Sequence, residues 1–167
     1  IKEVARLITG RGSNIIVLSA MSGTTNTLVE IADYLARRNV NGAKETINCL
    51  EKRYDEVISE LLEAGEFRDE ARRRIGEVFA FLRSFTHAEE FAEKDEKEIL
   101  AQGELMSTNL MDLYLHQEGY NSVWLPALEF MRTDHNGEAD IDHITLHLTP
   151  MLEANAGADL FITQGFI

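Results

Sequence analysis

The sequence predicts an α/β fold built on a mainly parallel sheet with helices packed against it. Three short apolar runs, at residues 15–18, 122–125 and 160–163, have the length and composition of buried strands. Between them, apolar residues recur every three to four positions, which is the spacing of one helical face. Strands that alternate with helices in this way are typical of a parallel sheet.

The first third of the chain shows this alternation in order. The opening helix carries its apolar residues on one face: Ile1, Val4, Ala5 and Ile8. Glycines end that helix, and the strand at residues 15–18 then runs into the turn SAMSGTTN. A second helix follows with three apolar residues on one side: Leu28, Ile31 and Leu35.

Residues 42–100 interrupt the alternation and are predicted to form an all-helical insertion within the α/β domain. One apolar stripe of helical spacing runs from Ile47 to Leu62, and a second runs from Ile75 to Phe85. The acidic stretch over residues 88–100 is interpreted as a solvated helix face. We expect this stretch to lead into Gly103, after which a new helix starts.

The alternation then resumes. A helix from Glu104 to about His116 is predicted to precede the strand at residues 122–125, which Pro126 closes. The next helix carries a further apolar stripe: Ile141, Ile144, Leu148, Met151 and Leu152. The strand at residues 160–163 delivers Gly165 to the sheet edge where such folds bind ligands. A natural protein would rarely stop there, so we expect residues 1–167 to be part of a longer chain.

Composition and charge restrict the classes of function. A length of 167 residues fits one domain, and 44% hydrophobic with 27% charged residues is ordinary for a globular protein. No apolar run approaches the roughly 20 residues that span a membrane. The formal net charge of −13 makes nucleic acid an unfavourable partner, because its backbone is also negative. The single cysteine, Cys49, cannot form an internal disulfide, so we expect a cytoplasmic protein.

The turn at residues 19–26, SAMSGTTN, is the first candidate site. It joins a buried strand to a helix, and unpaired N–H groups at a helix N-terminus bind anions well. The backbone at Ala20 and Gly23 is a possible anion-binding surface, and Ser19 and Thr25 supply hydroxyl groups. The turn matches neither the P-loop pattern nor GxGxxG. The alternative is that a threonine of this turn only caps the helix.

Glu104 and the segment at residues 163–166 are the other candidates. We expect Glu104 in the first turn of its helix, where the macrodipole favours an ionised carboxylate that could hold an ammonium group. The alternative is that Glu104 only stabilises that helix. Gly165 permits close approach at a strand end, and Phe166 either forms one wall of a pocket or packs in the core.

Two histidines have the spacing of possible metal ligands. His143 and His147 have the i, i+4 spacing of a metal-binding pair, with aspartates close by. They lie toward the polar side of their helix, however, and the HExxH motif is absent. We therefore predict no metal site in the chain.

Four motifs together resemble the aspartate kinases (aspartokinases) of the amino acid kinase family. They are VLSAMSGTTN at residues 17–26, GELMS at 103–107, MRTD at 131–134 and ITQGFI at 162–167. Their order and separation match that family, and the resemblance covers nearly the whole chain. It implies a three-layer α/β/α fold with a mainly parallel sheet of the acetylglutamate kinase-like type. Residues 1–167 would then be the N-terminal part of a catalytic domain.

The resemblance also implies a reaction and roles for individual residues. The reaction is transfer of the γ-phosphoryl group of ATP, as its Mg²⁺ complex, to the β-carboxylate of L-aspartate, the first step toward lysine, threonine and methionine. Ser19 and Thr25 would contact aspartate, Glu104 would pair with its α-amino group, and Gly165 with Phe166 would border the substrate. Phosphoryl transfer requires mainly positioning and charge neutralisation, so neither a nucleophilic side chain nor a tightly bound cofactor is expected. We expect the full-length protein to be a homo-oligomer.

Other motifs of the family are expected outside residues 1–167. A KFGGTS strand and loop, with a phosphate-binding lysine, should precede Ile1. A TTLGRGGSD segment, with an arginine for the substrate and groups for the nucleotide and metal, should follow Ile167. The second half of the kinase domain and the ACT regulatory domains would also lie outside. We therefore assign no catalytic residue within the chain and expect residues 1–167 alone to be inactive. A nucleotide site needs local positive charge, and residues 1–167 contain no obvious cluster of it. We attribute that positive charge to the segments outside the chain.

Several alternatives stay open at this point. A sibling amino acid kinase would differ in whether Glu104 meets an α-ammonium group. The kinase part of a bifunctional aspartokinase/homoserine dehydrogenase would carry the same motifs. A non-catalytic interaction module on a degenerate kinase fold is a third possibility, but a dead site has no physical need for intact SAMSGTTN and GELMS motifs. A nicotinamide-binding oxidoreductase should carry GxGxxG after the first strand, and the sequence lacks it.

Overall fold

A computed structural model describes residues 1–9 and 14–165 of the protein. Its regular elements, in chain order, are α1 (Lys2–Ile8), β1 (Asn14–Leu18), α2 (Thr24–Ala36), α3 (Val40–Leu61), α4 (Glu66–Ser84), a 3₁₀ turn (Phe85–His87), α5 (Glu93–Gln117), β2 (Ser122–Trp124), α6 (Ala127–Phe130), α7 (Ile141–Ala154) and β3 (Leu160–Gln164). In this described part, no helix combines the length and the apolar character needed to cross a bilayer.

The three strands form one parallel sheet in the order β1-β3-β2. Asn14 of β1 and Ser122 of β2 both lie opposite Leu160 of β3, so the three strands start level with one another. The α/β class with a parallel sheet is therefore confirmed, and each predicted strand is correct to within one residue at either end. Because the strands are parallel, the carboxyl ends of β1 and β3 lie side by side at one edge of the sheet.

Helices cover both faces of this sheet, as a three-layer α/β/α fold requires. On one face, Leu160 and Ile162 of β3 pack with Ala5 of α1 and with Met111 and Leu115 of α5. The other face is covered by α6, α7 and the segments beside them, which surround a buried cluster: Leu125, Ala127, Phe130, Ala158 and Phe161. Burying apolar side chains on both faces is the main favourable term that holds such a sheet together.

Helices α2 to α5 form a second core beside the sheet. Helix α2 packs on α3 and α5, and α4 packs on α3 and α5, so the four helices enclose one apolar interior. Tyr54 of α3 and Phe79 of α4 are fully buried there, with their rings edge to face and the ring centroids 5.9 Å apart. The predicted apolar stripes of α3 and α4 are the faces that meet in this interior.

The predicted start of a helix at Glu104 is wrong. Helix α5 runs without interruption from Glu93 to Gln117, and Gly103 and Glu104 lie in its middle. A glycine inside a helix costs only about 1 kcal/mol, so helix propensity alone does not force a break at Gly103. The end of the predicted insertion at residue 100 therefore falls inside one continuous helix.

Two elements near the carboxyl end differ from expectation. Helix α6 was not predicted, because its four residues are too few to show a helical period. Helix α7 contains the whole predicted apolar stripe from Ile141 to Leu152. None of its residues is fully buried, however, and Ile141 is 65% exposed. Ile144 and Leu148 are among the residues by which α7 packs, half-buried, on the sheet.

A buried carboxylate links α5 to the start of β2. Asp112 is only 3% exposed, and its Oδ1 accepts a 2.6 Å hydrogen bond from the Ser122 hydroxyl. Arg74 Nη1 and His116 Nε2 each lie 3.7 Å from an oxygen of the same carboxylate. Burial is the largest influence and raises the pKa of the Asp112 carboxyl group, although the Ser122 hydrogen bond and the nearby Arg74 guanidinium act in the opposite direction.

This raised pKa gives a testable dependence of stability on pH. The folded state keeps the Asp112 proton over a range in which the unfolded state has already released it. Ionisation of Asp112 therefore lowers the free energy of unfolding as pH rises from the ordinary aspartate pKa of about 4 through the raised pKa of the folded state. Asparagine does not ionise, so Asp112→Asn does not lose stability in this way. Urea denaturation should show the unfolding free energy of Asp112→Asn rising, relative to the unaltered protein, as pH increases above about 4.

The exposed Asp142, replaced in Asp142→Asn, serves as the control for loss of one surface carboxylate. A flat or opposite difference profile for Asp112→Asn would show that the Ser122 and Arg74 contacts outweigh burial.

Candidate active site

The turn between β1 and α2 begins the candidate site at the carboxyl edge of the sheet. Gly23 precedes α2 with φ of +79°, a left-handed conformation that glycine adopts without steric cost. No side chain caps this helix end, which excludes the alternative that a threonine of the turn acts as the cap. The Thr24 hydroxyl instead forms a 3.1 Å hydrogen bond with the hydroxyl of Tyr54. Among the described residues, no acceptor is found for the amide N–H of Thr25 or Asn26. These two N–H groups point out of the helix start and can receive an anion.

The middle of α5 lies directly against this turn. A Cβ added at Gly103 would come within 3.0 Å of Ala20 Cβ and 3.3 Å of Thr24 Cγ2, which is closer than packed atoms tolerate. The Ser107 hydroxyl donates a 2.8 Å hydrogen bond to the carbonyl oxygen of Ser19. Glycine at position 103 is therefore required for the close approach of helix and turn, and not for the end of a helix.

Glu104 follows Gly103 and extends toward the end of β3. Its Oε2 lies 3.8 Å from the position that a Cβ on Gly165 would occupy, and the same position is 3.2 Å from Val17 Cγ1. Gly165 thus leaves room beside a half-buried carboxylate. The structure brings the turn, Glu104 and Gly165 together, whereas Phe166 lies outside the described residues.

The position of Glu104 within α5 determines whether the helix macrodipole can stabilise its carboxylate. The favourable effect of the helix macrodipole on a carboxylate is confined to the first turn, and Glu104 lies eleven residues after Glu93 in α5. Stabilisation of a helix N-terminus, the alternative role considered for Glu104, is therefore excluded. A half-buried carboxylate in mid-helix, at the sheet edge where parallel α/β folds commonly bind ligands, is suited to a cationic group.

The predicted site residues on the turn differ in exposure. Ser19 and Thr25 are exposed and Ala20 is half-buried. The site is consequently an open edge with N–H and hydroxyl donors on one side and a carboxylate on the other. Such an arrangement can bind a small molecule that carries both negative and positive groups.

Sequence reasoning missed a residue of α3 at this site. Arg53 Nη2 donates a 2.7 Å hydrogen bond to the carbonyl oxygen of Ser22, and Arg53 Nη1 lies 3.2 Å from the position of a Cβ on Gly23. An arginine on the exposed side of an amphipathic helix has the same pattern as any solvated residue, so the sequence contains no signal for this contact.

The two histidines on α7 are engaged with each other. The rings of His143 and His147 stack with centroids 3.9 Å apart. Asp140 accepts a hydrogen bond from the His143 amide at the start of α7 and pairs with Arg132. Over residues 1–9 and 14–165, no group of three or more histidine, cysteine or acidic side chains is arranged to hold a metal ion.

Comparison with known proteins bears on the predicted family. Over 160 residues the chain is 31% identical to lysine-sensitive aspartokinase 3 of Escherichia coli, a match that covers 92% of this chain and 34% of that protein. Over 159 residues it is 28% identical to bifunctional aspartokinase/homoserine dehydrogenase 2 of the same organism, covering 92% of this chain and 19% of that protein. The fold agrees with that of the crystal structure of E. coli aspartokinase III in complex with aspartate and ADP in its R-state, with a TM-score of 0.79 and 25% identity over 99% of this chain. The resemblance to aspartokinases is confirmed.

Further aspartokinase structures agree in fold. The lysine and aspartate complex of the E. coli enzyme in its T-state gives a TM-score of 0.66 at 24% identity, and Clostridium acetobutylicum aspartate kinase gives 0.63 at 16% identity. No family model matches the chain. The chain spans about one third of the length of aspartokinase 3 and about one fifth of the bifunctional aspartokinase.

Proposed function

We propose that this chain is part of an aspartate kinase, which transfers the γ-phosphoryl group of ATP to the β-carboxylate of L-aspartate. The observation that carries the proposal is the meeting of the turn at residues 19–26 with Glu104 and Gly165 at the carboxyl edge of the sheet. Support also comes from the similar E. coli structure, which is a complex with aspartate and ADP. Since the chain spans about a third of that relative, the activity is assigned to the whole protein.

In this proposal the chain binds and orients the acceptor substrate. Aspartate carries two carboxylates and one ammonium group. The N–H groups at Thr25 and Asn26, with the hydroxyls of Ser19 and Thr25, receive a carboxylate, and Glu104 pairs with the ammonium group. Two opposite charges recognised at separate points fix the orientation of a small molecule, and this positioning is a large part of what phosphoryl transfer requires.

The reaction itself exchanges one P–O bond for another. A β-carboxylate oxygen bonds to the γ-phosphorus as the bond from that phosphorus to the β,γ-bridging oxygen breaks. The products are an acyl phosphate and ADP. Mg²⁺ enters as part of the ATP substrate, and positive charge for the phosphates is expected from parts of the whole protein beyond residues 1–167.

Several finer assignments belong to the same proposal. They are a cytoplasmic location, which rests on the single Cys49, a role in the route to lysine, threonine and methionine, and a homo-oligomeric assembly. A bifunctional protein is the second candidate, because one of the relatives that the chain matches is a bifunctional aspartokinase/homoserine dehydrogenase.

The proposal is tested with the purified full-length protein. We expect ADP release from Mg²⁺-ATP to depend on L-aspartate, and hydroxylamine to trap the acyl phosphate as a hydroxamate. Glutamate, N-acetylglutamate, carbamate and UMP are the comparison acceptors for sibling kinases, and each should give at most a few per cent of the aspartate rate.

The possible outcomes separate the candidates. Turnover that prefers another acceptor would assign the protein to a sibling kinase. Aspartate binding without turnover of ATP would favour a non-catalytic module. Homoserine-dependent reduction of a nicotinamide cofactor by the same protein, in addition to kinase activity, would establish the bifunctional candidate.

A further inference from the structure

Two neighbouring residues of α3 hold the turn that begins the candidate site. Arg53 Nη2 donates to the Ser22 carbonyl oxygen at 2.7 Å, and the Tyr54 hydroxyl bonds the Thr24 hydroxyl at 3.1 Å. Burial raises the pKa of Tyr54 to about 12, so its hydroxyl keeps its proton at neutral pH. Tyr54 is part of the apolar core, whereas Arg53 is exposed and reaches the turn from the solvent side.

The charge of Arg53 is not used in an ion pair with any described residue. Of the ten described arginines, seven pair with a carboxylate: Arg6, Arg37, Arg72, Arg73, Arg74, Arg83 and Arg132. Arg38 and Arg68 also form no ion pair within the described ranges, and Arg68 donates to backbone carbonyl oxygens. Arg53 is distinguished from these two by its place at the turn before α2. Within the described ranges, the one hydrogen bond of the Arg53 guanidinium goes to a neutral carbonyl group. In a chain of net charge −13, a guanidinium that meets a backbone turn and no carboxylate leaves local positive charge beside that turn.

The positive charge of Arg53 lies beside the start of α2, where backbone N–H groups can bind an anion. The Ser22 carbonyl and Gly23 that Arg53 contacts immediately precede Thr24, the first residue of α2. The N–H groups of Thr25 and Asn26 at that helix start have no described acceptor. A cation and unpaired N–H groups act on an anion in the same direction.

We propose that Arg53 is a positioning residue for the acceptor substrate, a role that rests on the proposed function. Its guanidinium fixes the Ser22–Gly23 turn and provides positive charge for the carboxylate that binds at the start of α2. The ligand class is a small amino dicarboxylic acid. ATP binding does not involve Arg53 in this assignment.

The test uses the full-length protein and the variants Arg53→Gln and Arg53→Lys. Arg53→Gln should raise KM for aspartate about three- to tenfold and leave kcat and KM for ATP within about twofold. Arg53→Lys should recover part of that loss, since it restores the charge without the planar guanidinium. KM for aspartate should also depend less on salt in Arg53→Gln than in the unaltered protein.

Lys52 gives a matched control, because it is an exposed cation on the same helix and Lys52→Gln makes the same change in net charge. An equal rise in KM for Lys52→Gln would overturn the inference in favour of a general charge effect. Unchanged KM in Arg53→Gln, or equal effects on aspartate and ATP, would overturn it as well. If the unaltered protein has no aspartate-dependent turnover, the proposed function fails and this inference fails with it. Normal turnover with unchanged KM in Arg53→Gln removes the inference alone.

Discussion

Replacing Glu104 by glutamine is expected to raise KM of the full-length protein for aspartate by about 30-fold or more, with KM for ATP changed less than about threefold. The carboxylate is half-buried at the carboxyl edge of the sheet, with Oε2 3.8 Å from the Cβ position on Gly165. A carboxylate that pairs with an ammonium group in a partly dry site contributes about 2–4 kcal/mol, and glutamine keeps the shape while removing the charge. Steady-state kinetics with each substrate varied in turn gives both constants.

Glu98→Gln is the matched control, because Glu98 is an exposed glutamate on the same helix, α5. It should leave both KM values within about twofold, as surface substitutions usually do. Equal effects of Glu104→Gln on the two substrates, or no effect, would contradict an ammonium-binding role. Discrimination among acceptors gives a second readout, because Glu104→Gln should weaken the preference for acceptors that carry an α-amino group.

Replacing Phe79 by alanine is expected to lower the free energy of unfolding by about 3–5 kcal/mol, which is the usual cost of deleting a buried aromatic ring. Phe79 is fully buried among helices α2 to α5, and its ring meets that of Tyr54 edge to face. Neighbouring side chains can fill such a cavity only in part, so both the transfer energy and the contacts are lost. Urea denaturation followed by circular dichroism measures the change.

Phe81→Ala removes a ring from the same helix two residues further on and serves as the control. Phe81 is 37% exposed, and its one described ring contact is with Phe85, at 5.0 Å between centroids. Its loss should cost about 0.5–1.5 kcal/mol. Similar losses for both variants would show that burial in this core does not determine the stability of the protein.

The strands and most helices could be predicted from sequence because their signals are local. A run of β-branched and aliphatic residues such as 15–18 is enough to indicate a buried strand. The spacing from Ile47 to Leu62 likewise defines the face of a helix without knowledge of what covers it. Parallel pairing could be predicted from the alternation of strands and helices along the chain, since parallel strands need long connections.

The errors arose where distant parts of the chain decide the local structure. Gly103 indicated a helix boundary, but its role depends on contact with Ala20, which is 83 positions earlier in the sequence. A threonine cap on α2 was plausible until Tyr54 of α3 was found to bind the Thr24 hydroxyl. Arg53 could not be identified at all, because only the packing of α3 on α2 brings it to the turn. The motifs indicated which segments meet at the candidate site, and tertiary structure was needed to show which contacts hold these segments in place.

The pairing of β1 with β3 has a consequence for the order in which the protein forms during synthesis. Asn14 lies opposite Leu160, so the first strand of this pair leaves the ribosome long before its partner. At about 5–20 residues per second, the interval between them is roughly 7–30 seconds. Helices form within microseconds, so α2 to α5 can assemble during that time. The sheet edge that carries the candidate site is therefore completed only when β3 has been made, after the helical core that supports it.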